Sequence, residues 1–245
     1  MRRFATYILL TLVAFIGGGY TISAQELSCD INFTTLFDNT EYASMKGVES
    51  GTLFGVRLTP QVGLEWQEQN SLMVGADLYQ DFGDSKFLSK AKLQLYYAYR
   101  SPEVKLYAGI FPREKMMGDY TDIMVSDSLR FYDNRLQGVM GQYKGDRGFA
   151  ELSADWCGKY SEESREKFRI MSAGRFYIDN YHRRFYAGYN FSMYHFAGSK
   201  LIRNCVNDQL MLDPYVGARF NAFLDFDIKL HYIQTFQRDR DNDEK

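Results

Sequence analysis

The clearest indication of the fold is LFGVRLTPQVGLEW, from Leu53 to Trp66. Apolar side chains occupy every second position, and mostly polar or small residues fill the positions between them. A side-chain period of two is the geometry of a β-strand and not of a helix. Pro60 has no N–H to donate to a neighbouring strand, so we expect a bulge or a local break in the ladder there.

The same alternation recurs along the chain in segments of roughly ten residues, the length of a membrane-crossing strand. The segments are 29–37, 53–66, 72–79, 90–100, 104–110, 150–156, 185–193, 215–222 and 225–236, with less regular ones at 136–144 and 168–177. Aromatic residues make up 16% of the chain, and they suit the half-buried surface of a sheet. The sequence therefore predicts an all-β protein of about 10 to 11 antiparallel strands.

Three features of the segments favour a transmembrane β-barrel over a soluble β protein. The apolar faces often end in tyrosine, tryptophan or phenylalanine, and the opposite faces mix charged residues with glycine and serine. Short connections also alternate with long ones, the longest running from Phe111 to Arg135. Outer-membrane barrels have this pattern, with aromatic girdles, a polar interior, short periplasmic turns and long extracellular loops. A soluble sandwich or a large-cavity barrel is the alternative.

The number of strands has a consequence for closure of the barrel. If the long loops face outside, the first strand and the last strand both run outward, which gives an odd count. Bacterial barrels usually have an even count with both ends in the periplasm. We therefore predict an incomplete sheet, open between 29–37 and 226–236. Residues 25–245 are interpreted as the N-terminal part of a longer barrel.

The first 24 residues have the features of an export signal. Arg2 and Arg3 precede an apolar run over 4–16, and Ala24 is a small residue at the expected cleavage site. Export with removal of residues 1–24 places the mature chain in the bacterial outer membrane. The net charge of −2 and the lack of a basic, aromatic-rich patch exclude nucleic acid as an expected partner.

The three cysteines, Cys29, Cys157 and Cys205, have no metal-site spacing. One disulfide remains open in an oxidising periplasm, with no indication of which pair would form it.

Three stretches resemble a known family. They are Gly109–Arg113 (GIFPR), Ser126–Tyr132 (SDSLRFY) and Gly148–Trp156 (GFAELSADW). Together they look like the porin-like outer-membrane barrels of the Bacteroidota. The resemblance implies a single barrel of somewhat greater length that acts as a channel, and it implies no catalytic residues.

On this basis the predicted function is a porin-like channel for passive diffusion of small hydrophilic solutes. The residues expected to line the pore carry a modest excess of positive charge, which predicts a weak preference for anions. Equally, these charges could pair across the lumen without selecting a solute, and the loop 111–135 could either constrict the pore or lie at the surface. The predicted pore-lining residues are Arg57, Glu65, Asp77, Lys90, Lys92, Arg100, Lys105, Glu151, Asp155, Arg169, Arg175, Arg219, Asp227 and Lys229.

The alternatives to a channel are an adhesin or assembly scaffold and, as the least favoured, an outer-membrane hydrolase. Only three histidines are present, and no nucleophile motif or phosphate loop accompanies them. His182 falls in a short turn, His195 on an apolar face near a strand end, and His231 on a polar face. We therefore expect no enzyme, no catalytic residues, no cofactor and no metal. The expected partners are outer-membrane lipid and small hydrophilic solutes, with a homo-oligomer left open.

Overall fold

The computed structural model describes residues 25–41, 51–179, 183–201 and 206–240. The predicted signal sequence, His182 and Cys205 lie outside these residues. The described part is an antiparallel sheet with one short helix, α1 (Asp127–Tyr132), and a single 3₁₀ turn at Arg113–Lys115. The strands are β1 (Glu26–Thr40), β2 (Gly51–Trp66), β3 (Asn70–Asp81), β4 (Lys90–Arg100), β5 (Val104–Pro112), β6 (Arg135–Gly145), β7 (Gly148–Gly158), β8 (Lys167–Tyr177), β9 (Phe185–Phe196), β10 (Asn207–Asn221), β11 (Asp225–His231) and β12 (Gln234–Asp239).

Each strand from β1 to β11 pairs with its neighbour in the chain, and β12 also pairs with β10. Tyr215 faces His231 and Leu212 faces Gln234, so β11 and β12 continue one register along β10. The gap between them lies opposite Pro214, which has no N–H to donate. β11 and β12 are therefore one interrupted strand, in agreement with the predicted segment 225–236. The β2–β3 ladder likewise breaks at Pro60 without a change of register, which confirms the expected local break.

The all-β antiparallel fold is confirmed, and so is the open sheet. Within the described residues no ladder joins β1 to β11 or β12, so the sheet does not close into a barrel. The same part of the chain has no helix long and apolar enough to cross a membrane.

The apolar face of the sheet is exposed and the polar face is buried, which is the reverse of the arrangement in a soluble protein. Leu93 on one face of β4 is 53% exposed, whereas Gln94 on the other face is fully buried. Val139 and Leu152 share the exposed apolar face, which we call the outer face. The opposite face, which we call the inner face, is polar and is covered by the chain itself.

The segment 113–134, which joins β5 to β6, covers the inner face, and we call it the plug. Glu114 of the plug accepts a hydrogen bond from Asn32 Nδ2 of β1 at 2.8 Å, and Asp119 pairs with Lys229 of β11. The plug therefore spans the inner face from one end of the sheet to the other, and the loop lies inside rather than at the surface. Its apolar residues join the buried core of the protein, which includes Phe111, Met116, Tyr120, Met124, Val125, Leu136, Met140 and Met171.

Candidate functional site

All fourteen residues predicted to line a pore occupy the strand positions whose side chains point to the inner face. Several are engaged in ion pairs: Arg57 with Asp77, Arg175 with Asp119 of the plug, Lys229 with Asp119, Arg219 with Asp227, and Arg100 with Glu65 at 3.8 Å. Within the described residues Lys90, Lys92, Lys105 and Arg169 form no ion pair with a carboxylate. Much of the charge on the inner face therefore holds the plug and neighbouring strands together.

The most buried carboxylate among the fourteen, Glu151, is an anchor for the plug. It is 1% exposed and accepts hydrogen bonds from the Met117 backbone N–H at 2.6 Å, Tyr120 Oη at 2.8 Å and Gln142 Nε2 at 2.6 Å. Asp155 has a similar role, because its Oδ2 accepts from Arg113 Nη2 at 2.7 Å. Among the described residues, neither carboxylate has a histidine partner.

Two histidines in the described residues form close pairs with aspartates, one on each face of the sheet. On the inner face, His231 Nδ1 lies 2.8 Å from Asp213 Oδ1, and Asn190 Nδ2 donates to Asp213 Oδ2 at 2.9 Å. Asp213 is fully buried, and the His231 ring lies against Tyr215 with the two ring centres 4.9 Å apart. Because Asn190 also donates to the Asp119 carbonyl of the plug, this pair is built into the packing of the inner face.

The second pair lies on the outer face. His195 Nδ1 is 2.6 Å from Asp208 Oδ1, and Arg240 Nε and Nη2 both lie 2.7 Å from Asp208 Oδ2. The His195 and Asp208 side chains are 15% and 10% exposed, so both are largely protected without being sealed off. A buried carboxylate with both oxygens engaged is fixed in orientation and fixes the imidazole in turn.

Strand order places this pair at the rim of the outer face. His195 is one residue before the end of β9 and Asp208 is the second residue of β10, so they face each other across the ladder at the base of the long β9–β10 connection. Aromatic rings extend this contact onto the next two strands. The Phe168 ring stacks on the His195 ring with the two ring centres 4.6 Å apart, and the Trp156 ring stacks on the Phe168 ring with the centres 5.5 Å apart. The imidazole is therefore held between an aromatic ring and a carboxylate.

The contacts of His195 determine what its ring can do. An ionised Asp208 accepts a hydrogen bond from the N–H at Nδ1, so Nε2 carries the lone pair and is the basic nitrogen. No described residue hydrogen-bonds to Nε2. In catalytic triads a histidine with this tautomer and this support removes a proton from a nucleophile.

Described serine and threonine hydroxyls make no hydrogen bond to His195. Ser199, four residues further along the chain, is buried, and its Oγ accepts a hydrogen bond from the Leu201 N–H at 3.3 Å. Among the described residues the pair therefore has the base and its orienting group, but no side-chain nucleophile in contact with it.

This pair lies outside the inner-face charges that the sequence indicates as candidate site residues. The sequence nevertheless carries a signal for it, since the strand pattern places His195 on an apolar face. A polar residue at a lipid-facing position is costly unless it is paired. The sequence pattern misses Asp208 because the predicted strand segments end at residue 193 and resume at residue 215, whereas β10 begins at Asn207.

Comparison with known proteins gives one family and no curated relative. Residues 20–239 match the family model described as Lipid A 3'-O-deacylase-type, which is most of the chain. No curated protein matches the sequence.

This match corrects three predictions made from the sequence. The assignment to the porin-like family of the Bacteroidota is wrong, because the chain matches a deacylase family. The motifs that carried the assignment lie on β5, the plug and β7, which are structural elements of this fold. The prediction of a transport channel is wrong, since the match is to a deacylase family and the expected wet lumen contains the plug. The prediction that the chain is not an enzyme is wrong for the same reason.

The match bears on location and partners as well. It supports association with the outer membrane and its lipid, and it gives no support to small solutes as partners or to an oligomer. Because the matching region contains the whole described sheet and both histidine–aspartate pairs, the chain belongs to the Lipid A 3'-O-deacylase-type family.

Proposed function

We propose that this protein is an outer-membrane hydrolase that removes an ester-linked acyl chain from lipid A, with His195 as its catalytic base. The observation that carries the assignment to this site is the His195–Asp208 pair at the rim of the apolar outer face. The family description supplies the reaction class.

The location of the pair suits a substrate that never leaves the membrane. The outer face exposes leucine, valine and isoleucine side chains along several strands, as a surface in contact with lipid does. His195 and Asp208 lie where that face meets a long loop, and long loops are extracellular in outer-membrane barrels. An ester at the membrane interface would reach this histidine from the lipid side. His231 on the inner face lies on the same side of the sheet as the plug.

The chemistry requires the removal and return of one proton. His195 Nε2 takes a proton from a water molecule as the water oxygen attacks the ester carbonyl carbon. The tetrahedral intermediate then collapses with cleavage of the bond from carbon to the sugar oxygen. His195 returns the proton to that leaving oxygen, so the products are a free fatty acid and a sugar hydroxyl. Asp208 stabilises the imidazolium between the two transfers, as the aspartate of a catalytic triad does.

Arg240 would act through Asp208 and not on the substrate. Its hydrogen bond from Nε to Asp208 Oδ2 and the ion pair of its guanidinium with the same oxygen keep the carboxylate ionised and pointed at His195. Arg240 is therefore a positioning residue.

The test is a deacylation assay with the purified protein in vesicles that contain lipid A. Mass spectrometry should show loss of one acyl chain from lipid A together with release of a free fatty acid, and His195→Ala should slow both by roughly 10²–10⁴-fold. Unchanged lipid A after incubation with the wild-type protein, or full activity of His195→Ala, would overturn the proposal.

A matched variant identifies the attacking group. Ser199→Ala should retain activity if water is the nucleophile. Loss of activity in Ser199→Ala with the fold retained, together with an acyl group trapped on Ser199 in the wild-type protein, would replace water by that serine and leave His195 as the base.

A further inference from the structure

The inner face has a cavity that the deacylase site does not use. It lies between the plug and the strands β8, β9, β10 and β12, and its volume is about 500 Å³. This volume falls within the range of roughly 300–1,000 Å³ that small-molecule sites occupy. Its polar lining consists of Arg169, Ser192, Tyr194, Gln209, Thr235 and Gln237.

Arg169 distinguishes this cavity from the rest of the inner face. Its Nε is buried and has no hydrogen-bond partner, and its guanidinium lies 5.2 Å from the centre of the Tyr194 ring. The carboxylate paired with it across the ladder, Asp155, is already engaged, because Arg113 occupies Oδ2 and the Gln137 N–H occupies Oδ1. Arg169 is thus a cation with no carboxylate partner among the described residues, in a region where most arginines have one.

The other polar groups of the cavity are uncommitted as well. In the described part of the chain, the side chains of Ser192, Gln209, Thr235 and Gln237 form no hydrogen bond. Two hydroxyls and two amides around a cation can donate to and accept from several oxygens of one ligand. Arginine also binds phosphate and carboxylate groups with two parallel hydrogen bonds.

From this arrangement we propose that the cavity binds an anionic saccharide, that is, a water-soluble sugar with a phosphate or carboxylate group. The guanidinium of Arg169 holds the anionic group, and Ser192, Gln209, Thr235 and Gln237 bind the hydroxyls. Tyr194 and Met124 supply the apolar contact that a sugar ring needs. The site is on the opposite side of β9 and β10 from His195 and Asp208, so it is separate from the proposed deacylase site.

Binding is measured by isothermal titration calorimetry of the purified full-length protein in detergent, with glucose 1-phosphate, glucuronate, glucose and inorganic phosphate as four separate ligands. Glucose 1-phosphate or glucuronate, whichever carries the preferred anion, should bind at least about tenfold more tightly than glucose or inorganic phosphate alone. Added salt should weaken the binding of the anionic sugars more than that of glucose.

Two variants and one control locate the site. Arg169→Gln should weaken binding of the preferred anionic sugar at least about tenfold and leave the affinity for glucose unchanged. Thr235→Val should lower the affinity for both glucose and the anionic sugar. Lys105→Gln removes an inner-face charge that lines no part of this cavity, so it should leave every affinity unchanged.

Three results would overturn the proposal: no binding of either anionic sugar, equal binding by Arg169→Gln and the wild-type protein, or inorganic phosphate binding as tightly as the sugars. The last would mean a simple anion site. Because Arg169→Gln should still deacylate lipid A and His195→Ala should still bind the sugar, failure of this proposal and failure of the proposed function give different results.

Discussion

The two histidine–aspartate pairs have nearly the same local geometry and opposite surroundings. Nδ1 to Oδ1 is 2.6 Å for His195 with Asp208 and 2.8 Å for His231 with Asp213. The first pair is at the rim of the outer face with an arginine on its second carboxylate oxygen, and the second is on the inner face with an asparagine there. The geometry of a histidine–aspartate pair alone therefore does not identify a catalytic site. The pair must also be accessible to the substrate.

The difference follows from strand parity. His195 is five residues after Asn190 on one regular strand, and side chains an odd number of positions apart point to opposite faces. Asn190 contacts the plug, so His195 faces away from it. The inner pair stabilises the packed face, whereas the outer pair lies on the exposed apolar face.

The largest expected effect comes from removing each histidine in turn. His195→Ala should lower the rate of lipid A deacylation by roughly 10²–10⁴-fold, the usual contribution of a general base. His231→Ala should keep the wild-type rate, and the loss of its hydrogen bond to Asp213 should lower thermal stability instead. Mass spectrometry of lipid A and a melting curve measure the two effects. Loss of activity in His231→Ala with normal activity in His195→Ala would reverse the assignment of the two pairs.

Substitution of the two aspartates should also separate the effect on rate from the effect on stability, with a smaller loss of rate than His195→Ala causes. Asp208→Asn would let the wrong nitrogen of His195 carry the proton, and we expect about a 10²-fold loss of rate or more. Asp213→Asn leaves an amide facing the donors His231 and Asn190, which should cost about 1–3 kcal/mol of stability with no change in rate. A rate loss of the same size in both variants would contradict a division of roles between the faces.

Much of this fold could be predicted from the sequence, because a side-chain period of two is a local signal. The alternation assigned Gln94 and Leu93 to the correct faces. The missing N–H of Pro60 predicted the break there, and the odd strand count predicted the unclosed sheet. The plug could not be predicted, since its position depends on long-range contacts such as that between Glu114 and Asn32, 82 residues apart. Several of the charges predicted to face a wet lumen are for this reason paired with the plug or with neighbouring strands.

The candidate site was harder to predict than the fold for a related reason. His195 and Asp208 are 13 positions apart and separated by a loop, and only the β9–β10 register brings them together. The class of reaction could not be predicted from the strand pattern. The alternation of apolar and polar residues indicates the environment of a side chain and not the chemistry that it performs.

Inner-face packing should affect stability without affecting catalysis. Glu151→Gln replaces one acceptor oxygen by an NH₂ group that faces the donors Met117 N–H, Tyr120 Oη or Gln142 Nε2. We expect a loss of about 1–3 kcal/mol in the free energy of unfolding. The plug should then be cleaved faster by trypsin, with the deacylation rate of the uncleaved protein unchanged. A large loss of rate before any cleavage would mean that the plug takes part in catalysis.

Substitution of Arg240 should weaken the interaction between His195 and Asp208 only slightly. The Arg240 side chain is 53% exposed, so its ion pair with Asp208 is screened by solvent and is worth at most about 1 kcal/mol. Arg240→Ala should therefore lower the rate by no more than about fivefold. Arg240→Lys should recover part of it. A merely structural role would leave the pH–rate profile of the remaining activity unchanged, whereas loss of this cation beside Asp208 should shift the profile.

The smallest effect concerns the ionisation of Glu114 in the plug. Partial desolvation by the surrounding protein raises the pKa of this carboxyl above its ordinary value of 4.5, so the folded protein holds the proton more tightly than the unfolded chain does. Stability should therefore fall slightly as the pH rises through the interval just above 4.5. Glu114→Gln cannot ionise and can still accept a hydrogen bond from Asn32, so it should lose this part of the pH dependence. Thermal unfolding followed by near-UV circular dichroism between pH 4.5 and 7 measures the slope. Identical slopes for the variant and the wild-type protein would show that Glu114 ionises in the plug as freely as it does in the unfolded chain.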